Sequence, residues 1–298
     1  MSFRIIFLIS IFLFVCGSSD AQILDYKMNY GINNYFEKQI LYKNIYKAKE
    51  ELFKKLRVKR VSVAGRNIEY FINRDGLADT IVTKIVFQNN GQNNGQNKEQ
   101  SESKQRSIEA YTYDADKNLI QINTGGAELK NIFSDIPAPQ RINFFYTEKF
   151  LTKASEEYNG SGSDKDMNVI YSEEGMLSKV ISVRKTTNDT SLTNFLYDEN
   201  KRLAFIGRDV SSEYGYKFIY KGGTIVKITN GSWREESVIE GNRPVKIISY
   251  SGINSKDNTA YSTEEYFYSE NGLPDKIVYT DKDGSKTEVN FDYEFYKD

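Results

Sequence analysis

Short segments of alternating hydrophobic and polar residues recur along most of the chain, and many of them end in a tyrosine. Tyr266 and Tyr268 are two residues apart, as are Phe195 and Tyr197, so both members of each pair face the same side of a β-strand. A stretch rich in Asp, Asn and Gly follows the last tyrosine, and such residues favour tight turns. The pattern therefore predicts repeated β-hairpins in which the tyrosine ends the first strand.

The repeated unit consists of an anchor residue, a turn that contains Gly or Lys, a Leu and then a β-branched run. Clear copies begin at Tyr113, Tyr171, Tyr197 and Tyr268, a weaker copy at Ile72, and degenerate copies at Tyr146, Tyr220 and Ile239. The returning strand carries a lysine directly before a β-branched residue. Because adjacent residues of a strand point to opposite faces, we expect the branched residue to point inward and the lysine outward.

A single two-stranded hairpin is only marginally stable, so the units must stack side by side and bury a shared face. We therefore predict a mainly β fold, an antiparallel meander of about 12 to 16 strands that is curled or partly closed. The repeat domain is assigned to residues 61–298. Residues 88–107 interrupt it with a polar, low-complexity stretch, which predicts a disordered loop because few apolar groups are available for burial.

Residues 28–58 show a different period. Apolar residues recur there at steps of three and four, with Lys and Glu between them, which predicts an amphipathic helix. Lys54, Lys55 and Arg57 suit the C-terminal end of such a helix. We expect the helix to cover an edge or a face of the sheet. A helix lying on a membrane surface is the alternative, although the basic residues do not form one block.

The first 21 residues have the features of a cleaved export signal. Arg4 precedes the apolar run from Ile5 to Val15, and small residues lead to Ala21, after which we place cleavage. The run is shorter than the roughly 20 residues with which a helix spans a bilayer. In the alternative, a lipoprotein, Cys16 would carry a lipid anchor. We expect an exported protein that is periplasmic, outer-membrane-associated or secreted, without a transmembrane segment once the signal is removed.

The composition excludes several classes of chemistry. The 298 residues contain no His, and Cys16 is the single Cys. A mature chain without either residue has no Cys nucleophile, no Ser-His-Asp triad, no disulfide and no His- or Cys-ligated metal. Lys and Arg number 40 and Asp and Glu 41, and a net charge of −1 gives no support for nucleic-acid binding. No phosphate loop or dinucleotide fingerprint occurs, so we expect no cofactor.

The pattern Tyr-(Asp/Ser)-x-x-(Gly/Lys)-x-Leu begins at Tyr113, Tyr171 and Tyr197, and a copy with Leu directly after Gly begins at Tyr268. This pattern resembles the YD repeat of Rhs-type proteins. It is also similar to repeats of uncharacterised proteins that Bacteroidetes export. The resemblance covers roughly residues 66–296 and implies a β architecture without assigning functional residues. Rhs-type toxins use such repeats as a shell around a cargo, so a fragment of a toxin shell is one alternative for this chain.

Two surface features are candidates for ligand binding. Stacked hairpins would align lysines in an outer row that could bind an anionic polysaccharide, and the members of this row are Lys84, Lys179, Lys227, Lys246 and Lys276. The alternative is an ordinary solvated face with Glu or Asp partners on neighbouring strands. Trp233 lies outside the repeat pattern, and it either contacts a ligand or packs at the rim of the core.

Two acidic segments could be mistaken for metal sites. The segment Asp281-Lys282-Asp283-Gly284-Ser285 has part of a calcium loop, but it lacks a third ligand before the Gly and a Glu at its end. We predict a hairpin turn there and at Asp114 and Asp116, and no metal site.

The combined pattern favours a non-catalytic envelope or exported module that binds a protein or glycan surface or serves as a scaffold, since repeats present extended surfaces. A carboxylate-dependent glycan hydrolase is the main alternative. Such an enzyme would need two carboxylates about 5–10 Å apart in a cleft, which sequence spacing alone cannot identify.

Overall fold

The structure is a computed structural model that describes residues 32–64, 67–87, 103–126, 140–158, 164–210, 215–229, 233–251 and 260–297. The predicted export signal with Cys16, the first four residues of the predicted helix and residues 88–102 of the predicted loop lie outside the described residues. The remainder of that predicted loop, residues 103–107, belongs to a β-strand. The strand therefore begins before Ile108, where the alternating apolar pattern resumes.

Two helices open the described chain. Helix α1 covers Ile32–Leu41 and helix α2 covers Lys43–Leu56, so the helical segment is divided at Tyr42. Helix α2 ends at Arg57, which has a left-handed φ of 58° and donates its N–H to the carbonyl of Lys54. Neither helix in the described part of the chain is long and apolar enough to cross a membrane.

Eighteen strands follow in the described residues. They are β1 (Val58–Val63), β2 (Ile68–Ile72), β3 (Ala78–Phe87), β4 (Ser103–Tyr113), β5 (Leu119–Gly126), β6 (Arg141–Thr147), β7 (Phe150–Glu157), β8 (Lys165–Tyr171), β9 (Leu177–Arg184), β10 (Thr190–Tyr197), β11 (Leu203–Gly207), β12 (Gly215–Lys221), β13 (Thr224–Thr229), β14 (Trp233–Glu240), β15 (Arg243–Ser251), β16 (Ser262–Tyr268), β17 (Pro274–Asp281) and β18 (Lys286–Phe295).

Each strand pairs antiparallel with the next one along the chain, and β18 pairs with β1, so the 18 described strands form a closed barrel. The predicted antiparallel meander is confirmed, whereas the smaller strand number and the partly open sheet are wrong. The eight sequence anchors account for the 16 strands from β2 to β17, and β1 and β18 add two that carry no repeat pattern. These two strands close the barrel and remove both sheet edges.

The anchors end the even-numbered strands from β2 to β16. In seven of these eight hairpins the strand register shifts by one residue next to the anchor, which is the mark of a β-bulge. The hairpin β12–β13 pairs without a shift. Because a one-residue shift exchanges the two faces of a strand, this difference determines which side chains point into the barrel.

The two helices, together called the plug below, lie inside the barrel. Three consecutive residues of α1 contact three distant strands: Tyr35 packs on Phe144 of β6, Phe36 on Phe195 of β10, and Glu37 bonds to Lys227 of β13. In a closed sheet, one helical turn can reach these strands only from the inside. The expectation that the helix covers a face of the sheet therefore holds, and the face is the inner one. The other expectation, a covered edge, is wrong because the sheet of the described strands is closed.

Candidate functional site

Tyrosine hydroxyls join neighbouring hairpins at one end of the barrel. Each donates a hydrogen bond to a carbonyl near the start of the preceding strand, and we call these contacts latches. The latches are Tyr113 to Ala78 (2.8 Å), Tyr197 to Leu177 (2.9 Å), Tyr220 to Leu203 (2.9 Å), Tyr268 to Pro244 (2.7 Å) and Tyr293 to Pro274 (2.7 Å). Four of the five donors are anchors of the repeat, and the fifth, Tyr293, lies on β18 outside the repeat pattern. Each latch fixes the position of one hairpin relative to the preceding hairpin along the barrel axis.

Burial keeps the latch hydroxyls protonated. Desolvation raises the pKa of Tyr197 and of Tyr220 to about 12. Burial also raises the pKa of Tyr113, Tyr268 and Tyr293 above the ordinary value for tyrosine. The latches are therefore neutral hydrogen-bond donors at neutral pH, and they serve the architecture as fixed contacts.

Three Glu-x-Tyr segments place a carboxylate and a phenol on the inner face of the barrel. The pairs are Tyr111 with Glu109 (2.7 Å), Tyr158 with Glu156 (2.7 Å) and Tyr266 with Glu264 (2.8 Å), and in each the hydroxyl donates to the carboxylate. The three glutamates are 9%, 2% and 4% exposed. A buried carboxylate needs such donors, so these pairs satisfy polar groups inside the barrel. Their burial leaves little access for a polymeric substrate.

Lys227 of β13 connects the barrel wall to the plug. Its Nζ lies 2.6 Å from Oε1 of Glu37 on α1 and 4.2 Å from the ring centroid of Tyr216. Burial lowers the pKa of the Lys227 ammonium, but the carboxylates of Glu37 and Glu235 outweigh this effect, so the pKa lies above its usual value. Lys227 is therefore charged and forms a largely buried ion pair with Glu37, which fixes the position of α1.

The prediction that Lys227 belongs to the outer lysine row is wrong, and the strand register explains why. In β15, Val245 is the extra residue of a bulge, so Lys246 pairs opposite Val238 on the outer face. Strand β13 has no bulge, and Lys227 pairs opposite Phe218 on the inner face. The Lys-Ile pattern is the same in both strands. Strand β15 has one extra, unpaired residue before its lysine and strand β13 has none, so the two lysines fall on opposite faces of the sheet.

The other four lysines of the row face outward. Three of them have a carboxylate partner on a neighbouring strand: Lys84 with Glu69 (3.1 Å), Lys246 with Glu265 (3.1 Å) and Lys276 with Glu288 (3.2 Å). Lys179 is exposed opposite Ile170. The structure therefore does not bring the five lysines together on one stripe, and a ligand-binding role for the row stays a prediction.

Trp233 begins strand β14, at the end of that strand far from its anchor Ile239. Its half-buried ring meets the ring of Tyr261 edge to face, with 5.7 Å between the centroids, and Lys282 lies over Tyr261 at 5.8 Å. The structure thus places Trp233 in a small aromatic cluster away from the outward lysines. Contact of Trp233 with a ligand stays a prediction as well.

The acidic segments that resemble part of a calcium loop form turns. The N–H of Ser285 bonds to the carboxylate of Asp283 at 2.9 Å, and Gly284 has a φ of 83° that closes the turn. Asn118 donates its backbone N–H to the carboxylate of Asp114 at 2.8 Å and its side-chain amide to the same carboxylate at 2.9 Å. These hydrogen bonds lower the pKa of Asp114 and Asp283. Within the described residues, no group of three or more His, Cys, Asp or Glu side chains could hold a metal ion.

Sequence reasoning missed the inner polar contacts. Glu37 was treated as part of an amphipathic surface, and Tyr293 of β18 was not recognised as a latch. The Glu-x-Tyr segments offered a usable pattern, because residues two apart share one face of a strand. The partner of Lys227 offered none, since Glu37 is 190 residues away in sequence.

Comparison with known proteins gives no family assignment. No protein-family model and no curated protein matches the chain. Among solved structures, a porin-like protein from Bacteroides uniformis is 8% identical with a TM-score of 0.40, and the match covers 80% of this chain and 98% of that one. A porin-like protein from Bacteroides vulgatus is 9% identical with a TM-score of 0.29, over 63% of this chain and 94% of that one.

A third match is to a chain in the TcdB2-TccC3-Cdc42 structure. It is 11% identical with a TM-score of 0.35, and it covers 74% of this chain but 11% of that much longer one. The function of the protein must therefore be inferred from its own residues.

Proposed function

We propose that this protein is an exported, non-catalytic module of the cell envelope that binds another macromolecule or serves as a scaffold. The observation that supports this most is the position of the plug inside the barrel. Phe36 and Phe53 of the plug are 4% and 1% exposed, and Lys227 and Glu37 form an ion pair between the plug and the wall. A large partner would therefore meet the outer wall and the two rims of the barrel.

The outer wall suits contact with water and with another macromolecule. Arg60 of β1 contacts Glu294 of β18 at 2.7 Å and Glu69 of β2 at 3.5 Å, so one guanidinium links three strands. Side-chain amides also link neighbouring strands: Gln121 of β5 donates a hydrogen bond to Asn143 of β6 at 2.8 Å. Cross-strand contacts of this kind stabilise a rigid and regular surface.

The two alternatives predict a different interior. A glycan hydrolase would need a pair of accessible carboxylates, whereas the inner glutamates at positions 109, 156 and 264 are buried and bonded to tyrosines. A toxin-shell fragment would need a hollow space for its cargo, whereas the described interior contains α1 and α2. Both alternatives therefore have less support than a binding or scaffold role.

Export can be tested with the full chain expressed in a Gram-negative bacterium. Cell fractionation followed by mass spectrometry of the N-terminus should find the protein in the envelope or the medium, beginning at Gln22. A diacylglyceryl group on Cys16 would also agree with an envelope role and would replace the proposed cleavage site. Retention in the cytoplasm with Met1 in place would contradict the proposal.

The non-catalytic role can be tested with the mature protein on glycan arrays and in binding assays with envelope proteins, together with a hydrolysis assay on the same glycans. Binding without hydrolysis is the expected result. Hydrolysis that stops when Glu156 and Glu264 are changed to Gln, in variants that remain folded, would support the enzyme instead.

A further inference from the structure

The outer wall of the barrel has two sides that differ in how their lysines are used. On the side formed by β14–β18 and β1–β3, Lys84, Lys246 and Lys276 each contact a glutamate on a neighbouring strand. On the side formed by β6–β12, Lys153, Lys179 and Lys217 are exposed, and none of them has an ion-pair partner among the residues that the structure describes. The second side, called the β6–β12 wall below, therefore presents three lysines that no described residue neutralises.

Exposed apolar side chains lie between these lysines. Phe145, Ile170, Leu196 and Ile219 are 52%, 40%, 42% and 43% exposed, and each directly precedes an inward anchor tyrosine. Phe145 pairs opposite Lys153, and Ile170 pairs opposite Lys179, so each lysine and its apolar neighbour stand on backbones about 5 Å apart. The apolar groups of the wall lie on even-numbered strands, Lys153 and Lys179 lie on β7 and β9 between them, and Lys217 lies on β12 beside Ile219.

The fold does not require apolar residues at these positions. The equivalent residues before the tyrosines of β4 and β18 are Thr112 and Asp292, and both are exposed. A polar side chain is therefore sufficient to continue the strand outside the core. On the other side of the barrel Phe267 is 43% exposed at the equivalent position, so exposed apolar groups occur on both sides. Among the described residues, however, only the β6–β12 wall has them on four consecutive even-numbered strands, and a contiguous row of this kind is typical of an interaction surface.

Acidic residues on the β6–β12 wall are already paired. Glu157 of β7 contacts Arg141 at 3.4 Å, and Asp166 of β8 contacts Lys185 at 3.2 Å. Neither carboxylate neutralises the three free lysines, so the wall has an excess of positive charge. A partner that binds this wall must therefore supply carboxylates or other anions together with apolar groups.

We propose that the β6–β12 wall binds an extended, acidic segment of a partner protein that also carries apolar side chains. This inference rests on the proposed binding role and names the class of partner. Carboxylates of the segment would neutralise Lys153, Lys179 and Lys217, while its apolar side chains cover Phe145, Ile170, Leu196 and Ile219. A flexible segment can follow the wall, which is convex because the sheet closes on itself.

Other occupants fit the wall less well. A flat bilayer touches only a few strands of a convex wall. An anionic polysaccharide would find aliphatic groups at three of the four apolar positions, and sugar rings stack on aromatic ones. A second copy of this chain in a two-fold symmetric contact would bring the same positively charged wall against this one, and like charges repel at close range.

The test uses a fluorescein-labelled peptide of alternating Glu and Leu, and fluorescence anisotropy with the full mature protein. Saturable binding is expected, and it should weaken about tenfold or more in Ile170→Ser and in Lys179→Glu, since each removes a contact at the centre of the wall. Raising the salt concentration from about 0.05 M to about 0.5 M should also weaken it, because the ion pairs are exposed.

Phe267→Ser and Lys276→Glu are the matched controls. They likewise change an exposed apolar residue and the lysine paired opposite it, but on the side of the barrel where Lys276 already contacts Glu288. Binding of the peptide should stay within about twofold of the unchanged protein in both. Thermal unfolding of all four variants verifies that they are folded.

Two results would overturn the proposal: no binding of the Glu-Leu peptide, or equal losses in the wall variants and in the controls. An all-Glu peptide that binds as tightly would also contradict it, because the apolar groups would then contribute nothing. Binding of phosphatidylglycerol vesicles or polygalacturonate through Lys179, without binding of the peptide, would replace the partner class and leave the proposed binding role in place. Glycan hydrolysis would instead remove the proposed role itself.

Discussion

The hairpins β12–β13 and β14–β15 begin with similar sequences and place the same residue type on opposite sides of the barrel. Lys227 follows the anchor Tyr220 by seven residues, and Lys246 follows the anchor Ile239 by seven. Both hairpins turn through a two-residue loop whose glycine has a φ near 60°, at Gly222 and at Gly241. Spacing, anchor and turn therefore do not decide which face the lysine occupies.

The bulge at Val245 makes the difference between the two hairpins. It removes one residue from the alternation, so Lys246 remains outside and contacts Glu265. Strand β13 keeps strict alternation, and Lys227 enters the barrel, where it contacts Glu37. One position in the ladder thus separates a surface ion pair from a buried one, and only the buried pair connects the plug to the wall.

Removal of the buried cation should give the largest difference between the hairpins. We expect Lys227→Met to lower the free energy of unfolding by about 3–5 kcal/mol, because Glu37 would stay buried without its partner. Lys246→Met should cost less than about 1 kcal/mol, as is usual for exposed pairs. Urea denaturation followed by circular dichroism measures both. Equal losses in the two variants would show that the two lysines have similar surroundings.

Deletion of single residues tests the register directly. Deletion of Val226 should turn Lys227 outward and leave Glu37 unpaired, with a loss of about 3 kcal/mol or more in unfolding free energy. Deletion of Val245 should remove the bulge and keep Lys246 outward, at a smaller cost. The same denaturation experiment applies, and adding Glu37→Gln to the Val226 deletion should recover part of the loss. A larger effect of the Val245 deletion would contradict the register explanation.

The tyrosines allow the same comparison between inside and outside. Tyr266 donates to buried Glu264 at 2.8 Å, whereas Tyr250 lies near Glu236 at 3.4 Å on the outer face. We expect Tyr266→Phe to lower the free energy of unfolding by about 1–3 kcal/mol, because a buried carboxylate loses a donor. Tyr250→Phe should change it by less than about 0.5 kcal/mol. The prediction fails if the outer tyrosine costs as much as the inner one.

The latches predict a smaller effect that appears at alkaline pH. The pKa of Tyr197 and of Tyr220 is raised to about 12 in the folded protein. In the unfolded chain a tyrosine ionises near about 10, so the unfolded state loses protons first as the pH rises. The contribution of these two hydroxyls to the free energy of unfolding is therefore fully present below about pH 10, and it is lost as the pH rises towards 12.

The double variant Tyr197→Phe and Tyr220→Phe isolates this effect. Its free energy of unfolding should fall less steeply over the same alkaline range, although it starts about 1–3 kcal/mol lower because two hydrogen bonds are missing. Urea titrations at several pH values give the two slopes. Parallel slopes would mean that these hydroxyls do not titrate differently on unfolding.

Local features of the fold could be predicted from the sequence. The anchors, the turns and the inward direction of Tyr197 and Tyr268 follow from alternation and turn residues that lie within about ten positions of each other. Lys84, Lys246 and Lys276 also face outward, as the pattern predicts, and their glutamate partners agree with the solvated-face alternative.

Non-local features could not be predicted in the same way. Closure depends on the pairing of β1 with β18, whose sequences carry no repeat. A bulge leaves no residue pattern that separates Val245 from Val226, so the face of Lys227 was assigned by analogy with the other hairpins. The position of the plug depends on contacts such as Tyr35 with Phe144, which join distant parts of the chain.

The reactivity of Lys227 and Lys246 towards an amine-acetylating reagent tests the central claim most directly, with modification at each site followed by peptide mass spectrometry of the folded protein. If the plug fills the barrel and the register of β13 turns Lys227 inward, Lys246 should react at least about tenfold faster than Lys227, and the difference should disappear in urea. Equal rates at the two lysines in the folded protein would contradict both the inward register and the filled interior.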